Sequence, residues 1–289
     1  MFEWGQRTYV MGIINATPDS FSGDGVALAS IEEATTRAVA QGQRFLADGA
    51  DILDVGGEST RPGSVPLPAE EELARVVPVI RALRAAVGAV TISVDTYRAA
   101  VAAAALDAGA DWINDVWGLR MDPDMAPLAA ARGCPVVIMH NRSKPKDVAQ
   151  EQRLGGHYIG IHYEELMADI ARELSEQMAI AVTAGVRAEQ IILDPGIGFG
   201  KTVAQNVELI DRLDELKALG RPLLIGPSRK SFIGYTLDLP PEERMEGTAA
   251  AVAIGIDRGA DIVRVHDVRA IARVARMTDR IVRRTVNAE

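Results

Sequence analysis

Short apolar runs rich in Val and Ile alternate along the chain with longer Ala-, Leu-, Arg- and Glu-rich stretches of helical spacing. The runs at 9–14, 51–55, 91–94, 112–114, 136–139, 191–193, 222–225 and 262–265 read as strands buried on both faces, the pattern of parallel sheets. The stretches at 30–48, 69–87, 97–108, 158–184, 204–219, 245–258 and 269–286, with a shorter one at 123–131, read as helices. Eight strands alternating with eight helical segments predict an α/β protein built as a (β/α)8 barrel, although a doubly wound open sheet gives the same alternation. A repeat favours the barrel. "GADILDVGG" starts at Gly49, "GADWINDVWG" at Gly109 and "GADIVRVHDV" at Gly259, each Gly placed to end a helix in the left-handed conformation. Three copies of one helix-to-strand connector imply a repeated geometry. No Ser-, Gly- or Pro-rich linker divides the sequence, so residues 1–289 are expected to form a single domain.

Polar residues gather where each predicted strand ends. Asn15 leads into "NATPDSFSGDG", Asp54 into "GGESTRPG", and the third strand ends at Asp95-Thr96. Asn114-Asp115, His140-Asn141, "DPGIGFGK" from Asp194, "GPSRKSF" from Gly226, and Arg264 with His266 follow in turn. Any one polar strand end is explained by solvation of the loop that follows. Solvation does not predict Asp or Asn at strand after strand, nor two glycine-rich stretches. In a barrel these ends converge on one face, where barrel enzymes place their sites.

The residue types define a chemistry. Asp95, Asn114 and Asp194 can pair with the edge of a flat heterocycle, since a carboxylate accepts two parallel N–H bonds from an amino-pyrimidine. Lys230 supplies an ammonium for a ring carbonyl or nitrogen, and Phe199 and Met139 can pack on ring faces. Arg264 and His266, two apart on one side of a strand, form a cationic pair to which Arg61 adds, a set suited to phosphate. "PSRKS" is placed to open a helix whose first N–H groups favour an anion. A heterocycle plus an anion is as far as these residues lead; they do not name a reaction.

Composition removes other classes. Apolar residues make up 48% and charged residues 25% of 289 residues, ordinary for a globular protein and unlike a disordered chain. The net charge of −9 argues against nucleic acid as a partner, and a lone cysteine, Cys134, excludes an intramolecular disulfide framework. Cys134 precedes a buried strand and reads as a core residue rather than a nucleophile. No apolar run approaches the length of a membrane span, and residues 1–7 lack the start of a signal peptide, so the expected location is cytoplasmic with no membrane partner. "GIGFGKT", from Gly196 to Thr202, is one residue short of the phosphate-loop spacing. His157 and His162 read as solvated helix residues, His140 as a structural hydrogen-bonder, and the arginines of 269–286 as a solvated face or dimer edge.

With these residues in place, the sequence resembles the dihydropteroate synthase family, pterin-binding TIM-barrel enzymes of folate biosynthesis targeted by sulfonamides. The resemblance runs from Tyr9 to about Arg284 through "MGIINATPDSFSGDG", "GGESTRPG", "SVDTYR", "IND", "DPGIGFGKT", "SRKSFIG" and "VRVHDV", in order. It implies a homodimeric transferase that joins 6-hydroxymethyl-7,8-dihydropterin pyrophosphate to p-aminobenzoate and releases pyrophosphate, with Mg2+. By the same resemblance Asp95, Asn114, Met139, Asp194, Phe199 and Lys230 would hold the pterin, with Asp95, Asp194 and Lys230 central to catalysis. Arg61, Arg264 and His266 would take the pyrophosphate, Asn15 the metal, and Phe21, Thr60, Arg61, Pro62 and Ser231 the aminobenzoate. The sequence departs from the family at Asp24, one place later than usual, at Pro227, and in the long basic stretch 141–156. Two rival readings share the barrel and the pterin carboxylates: a pterin-dependent methyltransferase and a non-catalytic pterin-binding paralogue. "STRPG" and "SRKS" favour the synthase over the methyltransferase, while the shifted Asp24 and the stretch 141–156 are the features that fit a paralogue.

Overall fold

The structure, a computed structural model, describes residues 2–16, 31–59, 67–144, 148–149, 151–159 and 161–283. In chain order its elements are β1 (Tyr9–Asn15), α1 (Ile31–Ala47), β2 (Ile52–Gly56), α2 (Ala69–Val87), β3 (Thr91–Asp95), α3 (Ala99–Ala108) and β4 (Trp112–Asp115). Next come α4 (Met125–Arg132), β5 (Val136–Met139), β6 (Val148–Ala149), β7 (His157–Tyr158), α5 (Leu166–Thr183), β8 (Ile191–Asp194) and α6 (Val203–Asp211). The chain ends with β9 (Leu224–Ile225), α7 (Ser231–Leu237), α8 (Met245–Asp257), β10 (Ile262–Val265) and α9 (Val268–Val282).

Eight strands pair in parallel in the order β8-β5-β4-β3-β2-β1-β10-β9, and a parallel bridge between Leu193 and Leu223 joins the two ends. The sheet is therefore a barrel rather than an open doubly wound sheet, as the alternation and the repeat predict. Alternation along each strand sorts the side chains. Val10, Leu53, Ile92, Ile113, Val136, Ile191 and Val263 face outward into the layer formed with the helices. Tyr9, Met11, Ile52, Trp112, Val137, Ile192, Leu224 and Ile262 fill the interior. Phe2 and Trp4 stack at 5.2 Å and pack on Tyr9 and Trp112, closing the barrel floor.

The "GAD" repeat has a structural meaning. Gly49, Gly109 and Gly259 all have φ between 101° and 115°. Each glycine ends its helix, and the following Ala N–H returns to the last turn. The Asp side chains then reach the backbone of the preceding barrel strand: Asp51 accepts from Val10 N–H at 2.9 Å, Asp111 from Ile92 N–H at 2.8 Å, and Asp261 from Leu223 N–H at 3.0 Å. The triplet thus ends a helix and fixes the register of two strands in three residues.

Two helical expectations are corrected. The helix read over 158–184 begins only at Leu166, where Glu165 accepts from Ala168 N–H at 2.5 Å. Tyr158 lies instead in the two-residue antiparallel ladder of β6 and β7. His157 is therefore a strand residue, its ring 4.4 Å from Tyr235, and His162 lies in the approach to α5. The stretch 204–219 is not one helix either. It breaks at Arg212 into α6 and a 3-10 turn over Leu213–Leu219, with the Arg212 side chain bridging Glu208 and Glu215 across the break.

Candidate active site

Following the interior face upward from the apolar filling gives a polar layer. Asp54, Asn114, Asp194 and Arg264 each stand two residues beyond an inward-facing apolar residue, namely Ile52, Trp112, Ile192 and Ile262. The alternation that packs the floor therefore delivers these groups to the mouth at the carboxyl ends of the strands. Arg264 Nε donates to Asp54 Oδ2 at 2.6 Å, and its Nη2 donates to Asp95 Oδ2 at 2.6 Å. Asn114 Nδ2 donates to the same Asp54 oxygen at 3.1 Å. Asp54 is fully buried and Asp95 nearly so. The second carboxylate oxygens of both, and the hydroxyl of Ser93, are buried without a hydrogen-bond partner among the described residues. A buried acceptor without a donor is costly, so this layer is built for a ligand that brings N–H groups.

Charge in the layer is balanced at close range. Burial pushes the Asp95 carboxyl up to about 7, with Arg264 pulling the other way and Asp54 adding to the rise. Burial likewise raises Asp194, opposed by Lys230 and by the Gly196 N–H that donates to its Oδ1 at 2.7 Å. Lys230 is pulled down to about 8 by burial, against the attraction of Asp194. Its ammonium donates to the Ile197 carbonyl and stands 4.4 Å from the centre of the Phe199 ring. Arg264 is held strongly protonated by Asp54 and Asp95 despite its burial.

The remaining predicted residues fall in four places. Met139 is buried at the end of β5, paired in register with Asp194. His266 Nδ1 and Ser228 Oγ are 2.9 Å apart, which fixes the imidazole ring. Together with Asn15, Arg229 and Asp267 it lines a cavity of about 530 Å³ beside β1. Ser231 opens α7 directly after Lys230. Arg229, at φ 55°, makes a bidentate pair with Asp267 at 2.9 and 2.5 Å. Phe21, Asp24, Thr60, Arg61 and Pro62 lie outside the described residues.

Sequence reasoning missed the part played by Asp54. It was visible as a polar strand residue, and its two-residue offset from Ile52 placed it on the site face. Lys201 is also more than a glycine-loop lysine: it is 2% exposed and donates inward to His140 Nδ1 at 3.0 Å.

Residues 11–266 match the family described as pterin binding enzyme. The dihydropteroate synthase of Clostridium beijerinckii is 50% identical over 284 residues, covering 98% of this chain and 97% of its own. The chain belongs to the dihydropteroate synthase family. A Clostridium difficile dihydropteroate synthase solved with pteroic acid superposes with a TM-score of 0.87 at 45% identity, covering 98% of this chain and all of that one. The Xanthomonas albilineans dihydropteroate synthase solved with 4-aminobenzoic acid gives 0.85 at 41% identity, covering 98% of this chain and 95% of its own. Dihydropteroate synthases are transferases built on this barrel, and the polar layer here occupies the barrel's mouth.

Proposed function

We propose that the whole chain acts as one catalytic domain that condenses 6-hydroxymethyl-7,8-dihydropterin pyrophosphate with p-aminobenzoate, giving 7,8-dihydropteroate and pyrophosphate. The observation that carries this reading is the layer of buried Asp54, Asp95, Asn114 and Asp194 with half-buried Arg264 and Lys230. It offers unsatisfied carboxylate oxygens to an amino-pyrimidine edge and an ammonium to a ring carbonyl. Phe199 and Met139 supply apolar surface for the ring faces. The relatives solved with pteroic acid and with 4-aminobenzoic acid support the two halves of the product.

In the reaction, the bond between the pterin methylene and the pyrophosphate oxygen breaks ahead of attack, and the electron pair leaves with pyrophosphate. Asp95 and Asp194 offset the positive charge left on the ring. The aromatic amine then forms the new C–N bond and loses one proton, with no covalent enzyme intermediate. Arg264 already gives Nε and Nη2 to Asp54 and Asp95, so it keeps Nη1 for a phosphate oxygen, while His266, oriented by Ser228, lines the separate cavity that Asn15 shares between β1, α1 and α9. Arg61 joins them from the second loop. Phe21, Thr60, Arg61, Pro62 and Ser231 receive the aminobenzoate in this proposal.

Among the described residues no group of three His, Cys, Asp or Glu side chains could cage a metal. Asn15 on the cavity wall fits a different arrangement, one protein oxygen on a Mg2+ that arrives bound to pyrophosphate. Such an ion would neutralise charge on the leaving group. Asn15 would then orient the pyrophosphate end rather than hold a resident metal. No helix among the described residues is long and apolar enough to cross a membrane; the cytoplasmic placement rests on the sequence reading alone. We also assign a homodimer, supported by Ile254 on α8 and by Met277 and Ile281 on α9, which stand exposed on two helices packed side by side.

The test is pyrophosphate release with the pterin pyrophosphate and Mg2+, with and without p-aminobenzoate. Release that depends on the amine is expected, and Lys230→Ala and Asp95→Ala should each lower kcat/KM at least about 100-fold with the fold intact. Near-normal turnover by either variant would remove the pterin assignment. Pterin binding without release would favour the paralogue or methyltransferase reading.

A further inference from the structure

The loop that follows β8 is a single thickness of backbone with a lysine on each side, Lys201 buried and Lys230 half-buried. On one side Gly198 leaves room for Lys230: a Cβ there would lie 2.5 Å from Lys230 Cδ. On the other side a Cβ at Gly196 would lie 1.9 Å from the His140 carbonyl oxygen, and one at Gly200 would lie 2.6 Å from the Arg142–Ser143 peptide. The loop is thus pressed against the exit of β5. Lys201 turns back under it, and its Nζ meets His140 Nδ1 at 3.0 Å, Gly196 O at 3.0 Å and Phe199 O at 3.1 Å. Burial pulls the Lys201 amine down to about 7 against the attraction of Asp194; in its ammonium form it has three N–H donors, and here three acceptors receive them.

The acceptor at His140 is itself fixed. Burial beside Lys201 holds the imidazole neutral, its pKa pushed down to about 3. Its Nε2–H then donates to Glu173 at 3.1 Å, which leaves Nδ1 to accept. Glu173 is gripped in turn by Arg142, whose Nε donates at 3.0 Å, and Tyr163 O–H donates to Gly200 O at 2.9 Å. A chain of hydrogen bonds therefore runs from α5 through His140 to the underside of the loop. On the upper side the loop presents the Ile197 carbonyl that receives Lys230 and the Phe199 ring beneath that ammonium.

We propose that Lys201 is a positioning residue: by tying the Gly196 and Phe199 carbonyls to His140, it sets the height of the loop that places Phe199 and Lys230 against the pterin. The inference rests on the pterin reading of this mouth. A loop displacement of about 1 Å is enough to cost on the order of 100-fold where reacting groups must be held in place. Lys201 touches neither substrate, so its effect is on the pterin half of the reaction and not on the aminobenzoate half.

The experiment measures binding of 6-hydroxymethylpterin to the full-length protein by titration calorimetry, together with both KM values and a melting curve. Lys201→Met should weaken pterin binding about tenfold and raise the KM for pterin pyrophosphate by a similar factor, with the KM for p-aminobenzoate within about twofold. His140→Asn keeps an acceptor oxygen where Nδ1 stood and should bind pterin within about threefold of wild type, whereas His140→Leu should lose about tenfold. Wild-type protein that binds no pterin would overturn the reading of the mouth itself. Wild-type protein that binds pterin, beside a Lys201→Met variant that binds equally well and merely melts earlier, would overturn the positioning role alone. If Lys201→Met fails to fold, the histidine pair decides, and equal affinity in Asn and Leu variants would overturn the proposal.

Discussion

At the scale of single residues, the site is a small set of titrating groups moved toward neutrality by burial. Asp95 is raised to about 7 and Lys230 lowered to about 8, and the proposed chemistry needs the first as carboxylate and the second as ammonium. Activity should therefore rise with pH as Asp95 loses its proton and fall as Lys230 loses its own, giving a narrow bell in kcat/KM for the pterin pyrophosphate. The residual activity of Asp95→Asn should lack the acid limb and keep the alkaline one. An acid limb unchanged in that variant would assign it to another group. The polar types at the strand ends were legible from the sequence because Asp and Asn recur there beyond what solvation requires. Their partnerships were not. Arg264 reads in sequence as one of three phosphate-binding cations, yet two of its nitrogens are spent on Asp54 and Asp95, 210 and 169 residues away in the chain. Only closure of the barrel makes those contacts.

At the scale of elements, loop backbone and side-chain placement are inseparable in the glycine-rich stretch after β8. Gly198 has φ +80°, where an L side chain is strained, and its missing Cβ is the space that Lys230 fills. Gly198→Ala should cost about 1–2 kcal/mol of stability, read as a modest fall in Tm, and should lower kcat/KM by at least about tenfold because Lys230 must move. A variant with normal kinetics and only a lower Tm would separate the loop's shape from the position of Lys230. Local pattern served well where one period ran undisturbed, as in the eight barrel strands and most of the helices. It failed at 158–165, where apolar residues at helical spacing belong to a ladder and a connector, because β7 pairs with β6 and Glu165 restarts the chain at α5. It failed again at Arg212, where a 3-10 turn interrupts a continuous apolar stripe without any Gly or Pro to mark it.

At the scale of the molecule, Met277 and Ile281 of α9 and Ile254 of α8, exposed on two helices that pack on each other, are the residues on which the proposed self-association is tested. Met277→Glu combined with Ile281→Glu should shift the protein from dimer to monomer in light scattering, since a charge at the centre of an apolar contact is strongly unfavourable. A dimer that survives both changes would move the interface elsewhere. The "GAD" triplets fasten six of the barrel's strands into three neighbouring couples. Asp51 fastens β2 to β1, Asp111 fastens β4 to β3, and Asp261 fastens β10 to β9. Thr8, at the entrance to β1, is bonded to Asp279 of α9 at 2.7 and 2.8 Å, so the first and last barrel elements lie side by side, and a designed linker joining the termini lets the ring be opened at new places. A circular permutant opened at Gly88, between two fastened couples, leaves every such couple contiguous and should refold at close to the natural rate. One opened at Pro240, inside the β9–β10 couple, turns a local closure into the longest in the chain and should refold more slowly, by stopped-flow fluorescence, for the same final barrel.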